Sequence, residues 1–261
     1  MFTPEIMAGI VAKHSDKIAQ ELAVAHRFAQ EKAPVMKDIL IVVRDQLDYI
    51  RQCVESIACN TTDYHIYLWD NGSDEPTRVY LENLGHLQWV TLVRSEENQG
   101  FIVPNNRLAE LTSSPYIILL NSDTQVTPGW SEMLMGWIHY ENVAQVGCQG
   151  YRLGEDFKGG KVAYGYTVDY ASGWGQCIPR RVYKQFGLFD EGNLTFAYGE
   201  DADYSLRLQE AGEIVYGLHA DPVIHYENKT VAAVSKEKDM RESFEANHAY
   251  LRERWAGFLK D

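Results

Sequence analysis

The chain has 261 residues, 45% hydrophobic and 23% charged, with a formal net charge of −13. That balance suits one larger α/β domain, alone or with appendages, and leaves material for a sizeable core. The acidic excess, with nothing resembling a basic stripe, argues against a nucleic-acid partner; the longest apolar runs, around Ile39–Val43 and Tyr116–Leu120, are far too short to span a bilayer.

Residues 1–33 are polar and charged throughout, without a leader pattern, so a cytoplasmic location is expected, with peripheral membrane contact as the alternative. Ile18, Leu22, Ala25 and Ala29 repeat at helical spacing and Pro34 closes the pattern. We read residues 1–35 as a helical appendage that packs on the domain or on a partner chain, which leaves a homo-oligomer or a larger multidomain parent open. Asp38 to Val43 predicts a buried first strand, and Leu47, Ile50, Val54 and Ile57 predict the helix after it. Strand Tyr64–Trp69, helix Pro76–Leu84, strand Gln88–Val93 and helix Phe101–Leu111 follow. Strands and helices alternating at this interval imply βαβ units and a mostly parallel sheet with right-handed crossovers.

Tyr116 to Leu120 is an unbroken apolar run that stops at Asn121-Ser122-Asp123, which predicts a strand buried on both faces. In open α/β sheets ligands sit outside the carboxyl ends of strands. A carboxylate there, beside amide and hydroxyl oxygens, suits a hard cation that in turn holds phosphates. The same residues are turn formers, so the stretch alone supports both readings.

Pro128 opens a short helix to about Ile138, and Ala144–Gln149 makes a further strand. The Gly- and Tyr-rich stretch 150–176 breaks the rhythm and predicts loop and short antiparallel strand. Its aromatics, Trp174 among them, are surfaces on which sugar rings stack, or lids over the core. A helix over Pro179–Gln185 precedes Phe189-Asp190-Glu191, and Tyr198-Gly199-Glu200-Asp201-Ala202-Asp203 leads a helix to about Ala211. Residues 213–217 and 222–226 predict short strands, the second carrying His225. From Ser235 a helix carries Met240, Phe244, His248, Leu251, Trp255 and Phe258 in one stripe, to be buried by this domain, a partner subunit or a membrane face. The expected units are 1–35, a domain over 36–232, and a C-terminal helix over 233–261. Cys53, Cys59, Cys148 and Cys177 show no metal spacing, and Cys53 and Cys59, in or beside a predicted helix, are taken as reduced packing residues; the Asn-x-Thr triplets at Asn60, Asn193 and Asn228 are taken as coincidence.

Several separated motifs share one order. They are Trp69-Asp70-Asn71-Gly72-Ser73-Asp74, Asn98-Gln99-Gly100-Phe101 with Asn105-Asn106, and Leu119-Leu120-Asn121-Ser122-Asp123-Thr124. Phe189-Asp190-Glu191, Tyr198 to Asp203, Arg207, Gly212 and His225 follow. Together they cover about three quarters of the chain, which resembles a family 2 glycosyltransferase of the GT-A fold, in its rhamnosyltransferase-like branch. The resemblance implies a Rossmann-like sheet with a small antiparallel acceptor-side sheet. It also implies inverting transfer of a sugar from a UDP- or dTDP-sugar to a carbohydrate or glycan acceptor, in surface polysaccharide or glycan synthesis.

By position, Asp70 resembles the residue that contacts the nucleoside base, with Val43, Arg44 and Asp45 beside it where many members have Thr-Tyr-Asn. Asn98, Gly100, Asn106, Asn121 and Ser122 complete the expected donor site. Asp123 resembles the last residue of the family's Asp-x-Asp motif, binding Mn²⁺ or Mg²⁺, with His225 as a second ligand. Asn121 replaces the motif's first Asp and removes one charge. Asp201 matches the general base, Glu200 stands as its substitute, and Trp174, Tyr198 and Asp190 are assigned to the acceptor. A helix start favours the ionised form of Asp201, although such acids are also ordinary helix-terminal residues. Two other readings stay open: a nucleotidyltransferase of similar sheet, and a weak or inactive domain that only binds sugar nucleotides.

Overall fold

The computed structural model describes residues 4–32, 34–154, 156–158, 160–226 and 238–258. The Asn228 triplet, the expected boundary at 232 and the expected helix start at Ser235 lie outside them.

The first half runs α1 (Pro4–Glu31), β1 (Lys37–Val43), α2 (Leu47–Asn60), β2 (Tyr64–Asn71), α3 (Glu75–Leu84) and β3 (Val90–Ser95). It continues through α4 (Ile102–Leu111), β4 (Tyr116–Leu120), β5 (Thr124–Val126), α5 (Trp130–Glu141) and β6 (Gln145–Gly147). The second half runs β7 (Gly150–Leu153), β8 (Gly160–Ala163), β9 (Tyr170–Ala171), β10 (Gly175–Pro179), α6 (Arg180–Phe186) and α7 (Glu200–Glu210). Strands β11 (Val215–Gly217) and β12 (Val223–His225) precede α8 (Lys238–Trp255).

The central sheet has the order β11-β6-β10-β4-β1-β2-β3. Strands β3, β2, β1 and β4 are mutually parallel. β10 lies antiparallel between β4 and β6. A small antiparallel sheet, β8-β7-β9, and a two-stranded ladder, β12-β5, stand apart from it.

Alternation along the strands divides the core between the two faces. Ile39, Ile41 and Val43 of β1, with Ile118 and Leu120 of β4, pack against α2, α5 and α1 through Ile50, Val54, Trp130, Leu134 and Phe28. Leu40, Ile117 and Leu119 face the other way, onto α4, α6 and α7 through Ile102, Leu108, Val182 and Tyr204.

Both terminal helices pack on this body. Glu21 of α1 is fully buried and accepts from the backbone N–H groups of His219 (2.9 Å) and Ala220 (2.7 Å) and from the Tyr216 hydroxyl (3.1 Å). Leu251 and Trp255 of α8 bury against Ala202 and Leu206 of α7, and Trp255 Nε1 donates to Asp203 at 3.0 Å. The predicted stripe is thus covered by the domain at Leu251 and Trp255, while Phe258 stays 39% exposed. Among the described residues no helix is long and apolar enough to cross a membrane.

Candidate active site

At the carboxyl end of β4 the chain turns through Asn121-Ser122-Asp123 into β5, which pairs with β12 so that His225 stands opposite Thr124. The Tyr226 N–H donates to the Asp123 carbonyl at 2.9 Å. This ladder brings His225 Nε2 to 3.2 Å from Asp123 Oδ1, without the alignment of a hydrogen bond. Trp174 stacks on the imidazole, centroids 4.9 Å apart and planes 18° off parallel. Asn121 donates its N–H to the Trp174 carbonyl at 2.9 Å.

Three polar side-chain atoms of this region are buried yet bonded to nothing in the chain: His225 Nε2, Asn121 Oδ1 and Glu200 Oε2. Buried polar groups normally find partners, so such atoms facing one cleft suit a ligand. An imidazole nitrogen and a carboxylate oxygen at this spacing fit two positions around a hard divalent cation, with phosphate oxygens and water supplying the rest. The described residues hold no group of three or more His, Cys, Asp or Glu that could ligate a metal, so the chain by itself offers only a partial shell.

The acidic end is set by α7. Gly199 enters it at φ +85°, and Glu200 and Asp201 occupy its first turn. Asp201 accepts from the Gly173 N–H at 3.1 Å and the Ala202 N–H at 2.8 Å. A side chain on Gly173 would press on Asp201, its Cβ 3.3 Å from Oδ2. Burial raises the Asp201 pKa above its ordinary value, outweighing those N–H donors; the helix start does not win, contrary to the expectation from sequence. Burial, and then the Asp201 charge, push Glu200 up to about 8. Asp201 is the better-solvated anion of the pair, and Glu200 the group that keeps a proton.

One cleft of about 280 Å³ is lined by both pairs. Of the residues singled out from sequence, Arg44, Asn98, Gly100, Asn121, Ser122, Asp123, Trp174, Tyr198, Glu200, Asp201 and His225 line it. Val43, Asp45, Asp70, Asn106 and Asp190 do not. Val43 is wholly buried in the core, because strand alternation turns Val42 and Arg44 to the cleft instead. Asp45 accepts from the Asp74 N–H at 2.7 Å. Asp70, 1% exposed, accepts from the Ser73 N–H at 2.9 Å and pairs with Arg94. Asn106 donates to the Phe189 carbonyl and Glu191 and accepts from the Phe189 N–H, each at 2.9 Å. Asp190 shapes its own turn by accepting from the Gly192 N–H at 3.0 Å.

Val42, Asn71, Phe101, Gly173, Phe196, Ala197 and Met240 also line the cleft, and sequence reasoning did not assign them to it. Asn71 donates to Asn98 Oδ1 and the Gly100 carbonyl, each at 2.8 Å, and accepts from the Gln99 N–H at 2.7 Å, so it shapes the loop before α4. At the start of α4 the amides of Phe101 (2.6 Å) and Ile102 (3.2 Å) donate to the Phe196 carbonyl.

A mostly parallel sheet with a small antiparallel sheet beside it thus brings a carboxylate-imidazole pair and a buried acid pair to one cleft, and the fold is that of the GT-A glycosyltransferases. The structure of GalNAc-T7 with UDP, GalNAc and Mn²⁺ is similar, with a TM-score of 0.64 and 16% identity over 74% of this chain and 43% of that one. The present chain therefore spans less than half the length of that enzyme. The mannosyltransferase PcManGT from Pyrobaculum calidifontis, with GDP-Man and Mn²⁺, matches with a TM-score of 0.61 and 12% identity over 97% of this chain and 82% of that one. No curated protein sequence matches significantly. Residues 38–201 match the profile described as Glycosyl transferase family 2. The chain belongs to that family.

Proposed function

We propose that this enzyme moves a sugar, with inversion and with the help of a divalent cation, from a nucleotide-diphosphate donor to a hydroxyl of a carbohydrate or glycan acceptor. The observation that carries the proposal is the shared cleft, lined by Asp123 and His225 and also by Asp201 and Glu200.

In this reading Asp201 accepts the proton of the acceptor hydroxyl as that oxygen attacks the anomeric carbon. The bond from that carbon to the donor phosphate breaks, and its electron pair leaves on the nucleoside diphosphate. A positioned carboxylate supplies ~10²–10⁴ in rate. Its raised pKa makes Asp201 a stronger base than an exposed carboxylate. Asp123 and His225 hold a cation whose charge would neutralise that developing on the leaving diphosphate. Trp174 fixes the imidazole and forms, with Tyr198, an aromatic wall for the acceptor.

UDP- and dTDP-sugars are the donors of first choice, from the resemblance in sequence. The structural relatives add GDP-sugars to the set and make Mn²⁺ the first metal to try. A thermal-shift screen of nucleotide sugars with and without Mn²⁺ tests the reading, because ligand at about 100 Kd stabilises by about 2.7 kcal/mol. Metal-dependent stabilisation by one nucleotide, followed by release of its diphosphate, supports transfer. Stabilisation with no release on any acceptor supports a binding domain instead.

A further inference from the structure

We infer that Asn247, on α8, is a positioning residue for the cleft wall that leads into Glu200 and Asp201. Asn247 is 1% exposed. Its Oδ1 accepts from the Thr195 N–H at 3.0 Å. Its Nδ2 shares two hydrogens among the carbonyls of Thr195 (2.8 Å), Ala197 (3.0 Å) and Tyr198 (2.9 Å). One side chain thus fixes the main chain of a loop whose Phe196, Ala197 and Tyr198 line the cleft.

That loop needs holding. Phe196 and Tyr198 sit at φ +59° and +75°, in the left-handed region that residues with a side chain seldom occupy. Such conformations persist only where the surroundings over-determine them. From one side the Phe196 carbonyl is held by the amides of Phe101 and Ile102. From the other side Asn247 holds the Thr195, Ala197 and Tyr198 carbonyls, and Gly199 lies so near α8 that a Cβ would come within 2.8 Å of Leu251 Cδ1. Acid pair, loop and helix therefore form one mechanical unit. Only an amide offers this pattern: a hydrocarbon of equal size would leave the loop carbonyls unbonded, and a carboxylate would face them with charge of the same sign.

The effect on rate rests on the transfer reading above; the clamp itself does not. The test uses the full chain and its Asn247→Asp and Asn247→Ala variants. We expect hydrogen exchange across 195–199 to rise about tenfold or more in both. We also expect nucleoside diphosphate release to fall about ten- to a hundredfold, since small misplacements of a reacting group carry such penalties. The Kd of Mn²⁺ alone should move less than about twofold, because Asp123 and His225 are held by the β5–β12 ladder and not by this loop. Near-wild-type release in the isosteric Asn247→Asp variant would overturn the inference, since it would make Asn247 a space filler. Should neither variant fold, exchange in the wild type decides: protection of the Thr195 amide equal to that of α8 supports the clamp, and exchange at an open-loop rate refutes it. A wild type that releases no diphosphate while loop and helix exchange together would count against the transfer reading, not against Asn247.

Discussion

His225 Nε2 lies 3.2 Å from Asp123 Oδ1, and a backbone ladder between β12 and β5 sets that distance. In the proposed cation site the ladder holds the two side chains together, and Trp174 stacks on the imidazole. His225→Ala or Asp123→Asn should weaken the Mn²⁺-dependent stabilisation by nucleotide at least about tenfold in Kd, the scale of a lost ligand or its support. Chelation of the metal should abolish that stabilisation in the wild type. Calorimetric titration of nucleotide into each variant, with and without Mn²⁺, reads the effect.

Glu200 should make the protein less stable as pH rises. Its folded-state pKa is raised from 4.5 to about 8, so between those values the folded chain holds a proton that the unfolded chain has released. The stability of that protonated state is fully present below the unfolded pKa and is lost as pH rises through the folded one. Glu200→Gln should therefore gain on the wild type from pH 5 to pH 8, by on the order of a few kcal/mol. Denaturation at both pH values checks this; a gain that shrinks with pH would contradict it.

Two glycines with similar backbones should respond differently to alanine. Gly129 sits at φ +79° with open space around its missing Cβ, so only the conformational cost of about 1–2 kcal/mol applies. Gly100 sits at φ +76°, and a Cβ there would meet the Phe196 carbonyl oxygen at 2.3 Å. Gly100→Ala should lower Tm clearly more than Gly129→Ala, and only Gly100→Ala should also depress diphosphate release.

Glu21→Ala tests how firmly α1 is joined to the domain. It would strand the half-buried His219 and Ala220 amides without their acceptor. At about 1–3 kcal/mol for each unsatisfied group the loss should reach about 3 kcal/mol in urea unfolding. A loss under about 0.5 kcal/mol, the range of ordinary surface changes, would make the contact incidental.

Much of this architecture was legible where it depends on local pattern. Tyr116–Leu120 forms the strand its apolar run predicted, and the helices after β1 and β2 lie where their spacing put them. β10 was hidden. Gly175 to Pro179 is buried at every position, yet only pairing with β4 makes it a strand, and that partner is remote in sequence. β5, at three residues, is too short to show a period. Type and position were enough to put the strand-end side chains of Asn121, Asp123 and His225 on the cleft. What escaped depends on packing: Gly173 serves through its N–H, Phe196 through its carbonyl, and Asn71 and Asn247 by bonding loops. Asn106 and Asp190 failed the opposite way, since polar residues in a motif can be wholly engaged in holding a turn.

The most direct test of a metal-bound donor and a base sharing one cleft is turnover of Asp201→Asn, with donor affinity measured on the same preparation. Expected is a fall of ~10²–10⁴ in nucleoside diphosphate release, with the Kd for Mn²⁺ and nucleotide within about twofold of wild type, as for a group that acts mainly in the transition state. Full turnover in Asp201→Asn would contradict the assignment of the base.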